Sequence, residues 1–212
     1  MLATVDALLP LSLLEAVRNV DTPSDQTDAE YVDELRNKRL GLSDTIYAQI
    51  KRHTEAARRG HRTSQDEAIA LAKLIGRRPD AEEVFRAAGR LMALQAYRTI
   101  SLVSRKMLRL LPSTVARPLA YRRAQKIAGR YLNGNVRRVG SFLLLDVPRS
   151  ITLGTAPGVI GCTYYEASLR ELLLLLIGSI GAVEHVRCNG RGEGTCEWRA
   201  DWRSFDRNAG LS

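Results

Sequence analysis

Cysteine is scarce in this chain, with three among 212 residues. That is too few for a disulfide framework, so the thiols are expected to be free or on a metal. No uninterrupted apolar run reaches the length that crosses a bilayer, which argues against a membrane-spanning helix. The opening MLATVDALLPLSLLEA is apolar but lacks the basic segment of a secretory leader. A reducing cytoplasmic setting follows as the expectation, with peripheral membrane association left open. No catalytic triad, dinucleotide fingerprint, zinc finger or RNA-binding motif stands out, and there is no internal repeat. Acidic residues are missing altogether from Val84 to Leu145, a segment that holds 13 Lys and Arg.

What is present describes a folded chain. Apolar residues make up 45% and charged residues 26%, proportions that support a real core. The net charge is +9. The basic segment creates a positive field suited to an acidic protein or an anionic lipid surface. Its plainer reading is a solvated face paired with the acidic stretch Asp21 to Glu34. Without a recognition motif, nucleic acid is the weakest partner.

The pattern along the chain predicts an α+β protein, a helical N-terminal half followed by an antiparallel sheet flanked by helices. The expected division is 1–29 as an apolar segment and linker and 30–80 as a helical extension. An α+β domain over 81–204 and a tail over 205–212 complete it. Pro10 interrupts the first apolar helix, which could dock on the body or on a neighbouring subunit. Asp28 caps a helix marked by Tyr31, Val32 and Leu35; Ser43 opens the next, and Ser64 with Glu67 forms a capping box. His53 and His61 read as solvated surface residues. From Pro79 one helical pattern continues to Leu111, and another covers Ser113 to Leu132. Asn133–Gly134–Asn135 reads as a turn. Ser141–Val147, Ala182–Asn189 and Thr195–Trp202 read as strands, with a further short one around Ile151–Leu153. Cys162–Ile177, with its run of five leucines, reads as a buried helix.

The three cysteines fall where these elements meet. Cys188 and Cys196 flank the turn Gly190–Arg191–Gly192–Glu193–Gly194, and a hairpin brings them together. Cys162 sits at the start of the leucine-rich helix, whose dipole favours a thiolate. A closed tetrahedral zinc site needs one more ligand, and Glu184 and His185 are the candidates. Strand alternation puts Glu184 on the Cys188 face and His185 on the other, unless a bulge reverses them. Such a site would be structural. The bland alternative is that the cysteines are small buried hydrophobes. Tyr164 and Tyr165 could line an apolar ligand pocket with Phe142, Leu144 and Trp198, or serve as ordinary packing. The Gly190, Gly192 and Gly194 spacing opens no helix, so it reads as a hairpin turn rather than a nucleotide loop.

Cys162, Glu184, Cys188, Gly192 and Cys196, followed by Trp198, resemble the C-terminal signature of the 4-vinyl reductase-like domain family. That family is related to the small core subunits of TRAPP vesicle-tethering complexes and to the aromatic-sensing domains of bacterial phenol- and toluene-responsive regulators. Uncharacterised myxobacterial paralogues are similar in length and layout. The resemblance is best over 137–202 and extends back to about residue 80. It implies a mixed α/β domain with an antiparallel sheet, usually dimeric. It also implies a zinc held by a cysteine at the helix start, a glutamate and two hairpin cysteines. Those roles fall on Cys162, Glu184, Cys188 and Cys196. The family places its acidic ligand three residues before the first hairpin cysteine, where this chain has His185. Either the hairpin is bulged or His185 replaces the glutamate. The functions implied are a non-enzymatic sensor of a small apolar, hydrocarbon-like ligand, or a homodimeric or larger assembly subunit. An accessory role in tetrapyrrole metabolism is the third.

Overall fold

The computed structural model describes residues 3–22, 40–152, 154, 159–178 and 181–202. The expected helix at Asp28, Tyr31, Val32 and Leu35 lies outside these residues, as do Leu153 and the 205–212 tail.

The first described strand, β1 (Thr4–Asp6), pairs antiparallel with β2 (Arg62–Ser64). Helix α1 (Leu8–Asp21) follows at once, with Pro10 in its first turn, where a missing N–H costs little. The Asp6 carboxylate accepts from Leu8 N at 3.0 Å and supplies the cap that Ala7 cannot. Helix α1 buries Leu9, Leu11, Leu13, Leu14, Ala16 and Val17. The apolar start of the chain therefore docks on its own body. At its other end Asp21 takes two hydrogen bonds from Arg78, at 2.6 and 3.0 Å, and one from the Gly41 amide at 2.7 Å. Arg78 also grips Asp80, whose carboxyl it holds below the ordinary range.

Four helices fill the middle of the chain. They are α2 (Asp44–Arg58), α3 (Gln65–Ile75), α4 (Ala81–Arg98) and α5 (Leu102–Leu110). Ser43 caps α2 through Ile46 N, and Ser64 caps α3 through Asp66 N. The apolar pattern from Pro79 to Leu111 is two helices, not one. Thr99 and Ile100 close α4, and Ser101 caps α5 by accepting from Ser104 N. Helix α6 (Ser113–Ile127) ends in a π-turn at Ala128–Leu132.

His53 is not on the solvated surface. It is 3% exposed, its Nε2 accepts from Arg52 Nη2 at 3.0 Å, and Glu67 Oε1 stands at 3.8 Å. Burial, helped by the positive Arg52, lowers its pKa to about 4. In the unfolded chain it returns to about 6.5, so the unfolded state takes up the proton first as pH falls. This stabilisation is complete above about pH 6.5 and is lost between there and pH 4, by about 3 kcal/mol. Urea unfolding at several pH values should show a steeper acid loss for the native chain than for His53→Gln; parallel curves would refute the assignment.

The C-terminal half carries a four-stranded antiparallel sheet in the order β3 (Asn135–Val139), β4 (Phe142–Val147), β6 (Cys196–Asp201), β5 (Val183–Arg187). Helix α7 (Thr163–Ile177) packs on β5 and β6 and, on its other side, along α4, which in turn packs on α1. The α4–α7 contact is tight because Gly89 has no side chain. A Cβ there would stand 2.2 Å from the Tyr164 carbonyl oxygen. Ser168 Oγ instead bridges the helices, donating to the carbonyls of Tyr164 (2.7 Å) and Gly89 (3.2 Å). One hydrophobic cluster runs from Val5 to Trp202, so α1 and the sheet share a core.

Candidate metal centre

The register of the sheet decides which side chains meet. Val147 pairs with Cys196, Leu145 with Trp198 and Leu143 with Ala200, and these side chains face α7. Leu144 pairs with Arg199 and Phe142 with Asp201, on the opposite face. On the other side of β6, His185 pairs with Trp198 and Glu184 with Arg199. The ladder then slips between His185 and Arg187, so Arg187 pairs with Glu197. That irregularity inserts one residue and carries Cys188 onto the His185 face.

The result is a four-donor cluster. Ligand atoms of Cys162, His185, Cys188 and Cys196 all lie within 4.8 Å of one another. The three cysteines are free and buried, and Cys162 Sγ stands 3.9 Å from Cys188 Sγ. That separation excludes a disulfide bond. It matches the ~3.8 Å edge of a tetrahedron with metal–sulfur bonds of ~2.3 Å. Three thiols and an imidazole are a zinc donor set, so residues and spacing fit the ion.

Glu184 stands outside the cluster. It is exposed and pairs with Arg199 at 2.6 Å. Unbroken alternation puts Glu184 on the Cys188 face; the bulge reverses the assignment in favour of His185. The imidazole lies flat on Trp198, with ring centroids 4.7 Å apart and planes 7° apart. Its Nε2 has no hydrogen-bond partner among the described residues, so stacking and the thiol cluster orient the ring.

The turn supports the cluster with backbone donors. Asn189–Arg191 forms a single 3₁₀ turn, and Gly192 follows at φ 82°, a conformation that a side chain disfavours. This fold aims Asn189 N at Cys196 Sγ, 3.4 Å away. Glu193 accepts from Cys188 N at 2.6 Å, while the Arg191 and Glu193 amides return to the Cys188 carbonyl. The roles of Asn189 and Glu193 were not visible in sequence. The only hint was glycine at 192 and 194, which marks a tight turn without saying what it points at. The segment is the hairpin turn expected from its glycines, joining two paired antiparallel strands.

The hydrogen bond from Cys162 holds Cys196 low, at about 4; it outweighs desolvation, and His185 and the Asn189 amide add to it. The same bond, with burial and the neighbouring Cys188 and Cys196, pushes the Cys162 thiol up. The helix start was expected to favour a Cys162 thiolate, but three sulfurs in one buried place outweigh the dipole. An arriving cation would displace the remaining thiol protons.

The residues expected to line a ligand pocket do not form one together. Tyr164, Tyr165 and Trp198 are buried, but they pack on each other. Tyr165 stacks on Trp198 at 5.0 Å and meets Tyr164 edge-on at 5.1 Å. Tyr165 Oη accepts from Ile151 N at 3.2 Å, and Tyr164 Oη lies 3.4 Å from Ser12 Oγ. Burial drives both phenols up, Tyr165 to about 12. Phe142 and Leu144 lie across the sheet, where Arg199 covers the Phe142 ring at 5.1 Å. The period of two in β4 separates them from the aromatic stack.

Comparison of the chain with protein-family models, curated proteins and solved structures found no match. No helix among the described residues is long and apolar enough to cross a membrane.

Proposed function

We propose that this chain is a non-enzymatic assembly module of the 4-vinyl reductase-like type, held together at its C-terminal hairpin by a structural zinc ion. The observation that carries the reading is the closed donor set. Cys162, His185, Cys188 and Cys196 supply four protein ligands, which leaves no coordination position for water or substrate. Zinc bound there would cross-link the start of α7 to both strands of the β5–β6 hairpin. The chain's own residues prepare the place: Trp198 fixes the imidazole, and the Asn189 amide stabilises the Cys196 thiolate. A ligand sensor is less well supported, because the aromatic side chains proposed for its pocket fill the space with one another.

Two substitutions on neighbouring residues test the ligand assignment. His185→Ala should lower zinc content and thermal stability, whereas Glu184→Ala should leave both unchanged. Elemental analysis with melting curves reads both, and the reverse pattern would return the role to Glu184. Native mass spectrometry of protein from its own host tests the assembly role. The expected species is an oligomer or complex carrying zinc. A monomer holding a small apolar molecule would favour the sensor instead.

A further inference from the structure

Helix α5 leaves its apolar side in solvent. Among the described residues, five of the eleven large exposed hydrophobics fall between Leu102 and Val115: Leu102, Val103, Met107, Leu110 and Val115. Leu110 is 81% exposed, Val103 69% and Leu102 68%, so they project rather than line a groove. Leu102, Val103, Lys106, Met107 and Leu110 share one side of the helix, at the spacing i, i+1, i+4, i+5 and i+8. Leu108, on the opposite side, is buried and fastens α5 to the body. A projecting aliphatic ridge with a lysine among its residues is the pattern of a helix lying in a membrane interface.

The surroundings supply the matching charge. A cavity of about 140 Å³ at the α4–α5 junction is lined by Thr99, Arg123, Lys126, Arg130 and Tyr131, among others. Its rim residues Thr99 and Ile100 lead directly into Leu102 and Val103. Arg130 is partly balanced by Asp6 at 3.1 Å, and Arg123 donates to Ser104 Oγ at 3.1 Å. Lys126 makes no ion pair among the described residues. No acidic residue occurs in the sequence from Val84 to Leu145.

We infer that α5 docks this protein on an anionic phospholipid surface, with the ridge in the acyl boundary and the basic cavity taking a headgroup phosphate. Lipid fits this surface better than an acidic protein. A convex row of aliphatic side chains needs no shaped groove when the other side is a fluid acyl layer, and the cations gain from a negative leaflet. The inference goes beyond the assembly role and is independent of the metal centre.

Sedimentation with vesicles tests it. The intact chain should bind vesicles of phosphatidylcholine containing about one third phosphatidylglycerol, bind phosphatidylcholine alone weakly, and lose much of its binding at about 0.5 M salt. Leu102→Ser with Leu110→Ser should weaken binding about tenfold or more with unchanged melting, since neither side chain is in the core. Arg123→Glu with Lys126→Glu, two of the cavity's cations, should abolish the preference for the anionic vesicles. Failure to bind those vesicles, or equal binding by the ridge variant, would overturn the inference. So would conversion of a dimer to a monomer by the ridge variant in light scattering, which would give this face to a second copy of the chain.

Discussion

Cys196→Ser is expected to abolish zinc binding at the proposed metal centre and to destabilise the protein by about 4 kcal/mol, the linkage expected when free metal exceeds its dissociation constant about a thousandfold. Cys196 is the choice because the cluster converges on it. Its sulfur accepts from the Asn189 amide, and hydrogen bonding to Cys162 and His185 lowers its pKa. Serine keeps the size but offers a hydroxyl that does not ionise in this range, so the soft anionic ligand is lost. Two observations together identify the cause. A chelator should lower the melting temperature of the native chain, and the same chelator should leave the variant where it is. Scanning calorimetry with and without chelator reads both. Equal chelator effects on the two proteins would show that the sulfurs act as buried hydrophobes only.

Gly89→Ala is expected to cost about 3 kcal/mol, a loss of roughly 8 °C in melting temperature. In an exposed helix interior the same change would gain up to about 1 kcal/mol from alanine's better helix propensity. The sign reverses here because the new methyl would meet backbone. Tyr164 O would lie at 2.2 Å and Ser168 N at 3.0 Å. Helices α4 and α7 must move apart, and α7 carries Cys162 at its N-terminus. Zinc affinity should therefore fall together with stability, although Gly89 lies outside the cluster. Thermal melting and a competitive zinc titration measure the two effects. Stability at or above that of the native chain would mean that the helices are not locked at this crossing.

Much of the C-terminal half was legible because its signals are local. The leucine run marks α7, while the apolar run FLLLDV and the alternating CEWRAD mark the two central strands of the sheet. The three cysteines could be placed together because each sits at the end of an element that must turn. The fourth donor was legible only as a choice between Glu184 and His185. Its identity depends on a one-residue slip in β5, which no composition signal announces. Strand β3 was read in part as a turn because NVRRV buries only Val136, so its period of two barely shows. The break between α4 and α5 was hidden by apolar residues that continue through Ile100, Leu102 and Val103. Those on the far side of the break face solvent, and only the tertiary structure separates a core stripe from an exposed ridge. Strands β1 and β2 are three residues each and pair across 58 positions, beyond the reach of local pattern. The pocket expectation failed for a simpler reason: Phe142 and Leu144 share a strand face that Trp198 does not.

X-ray absorption at the zinc edge, on protein expressed with added zinc, reads the proposed coordination at Cys162, His185, Cys188 and Cys196. The expected spectrum is that of a stoichiometric ion with three sulfur neighbours at about 2.3 Å and one nitrogen at about 2.0–2.1 Å. A shell of oxygen and nitrogen alone, or protein that takes up no zinc while Cys162, Cys188 and Cys196 remain reduced, would contradict it.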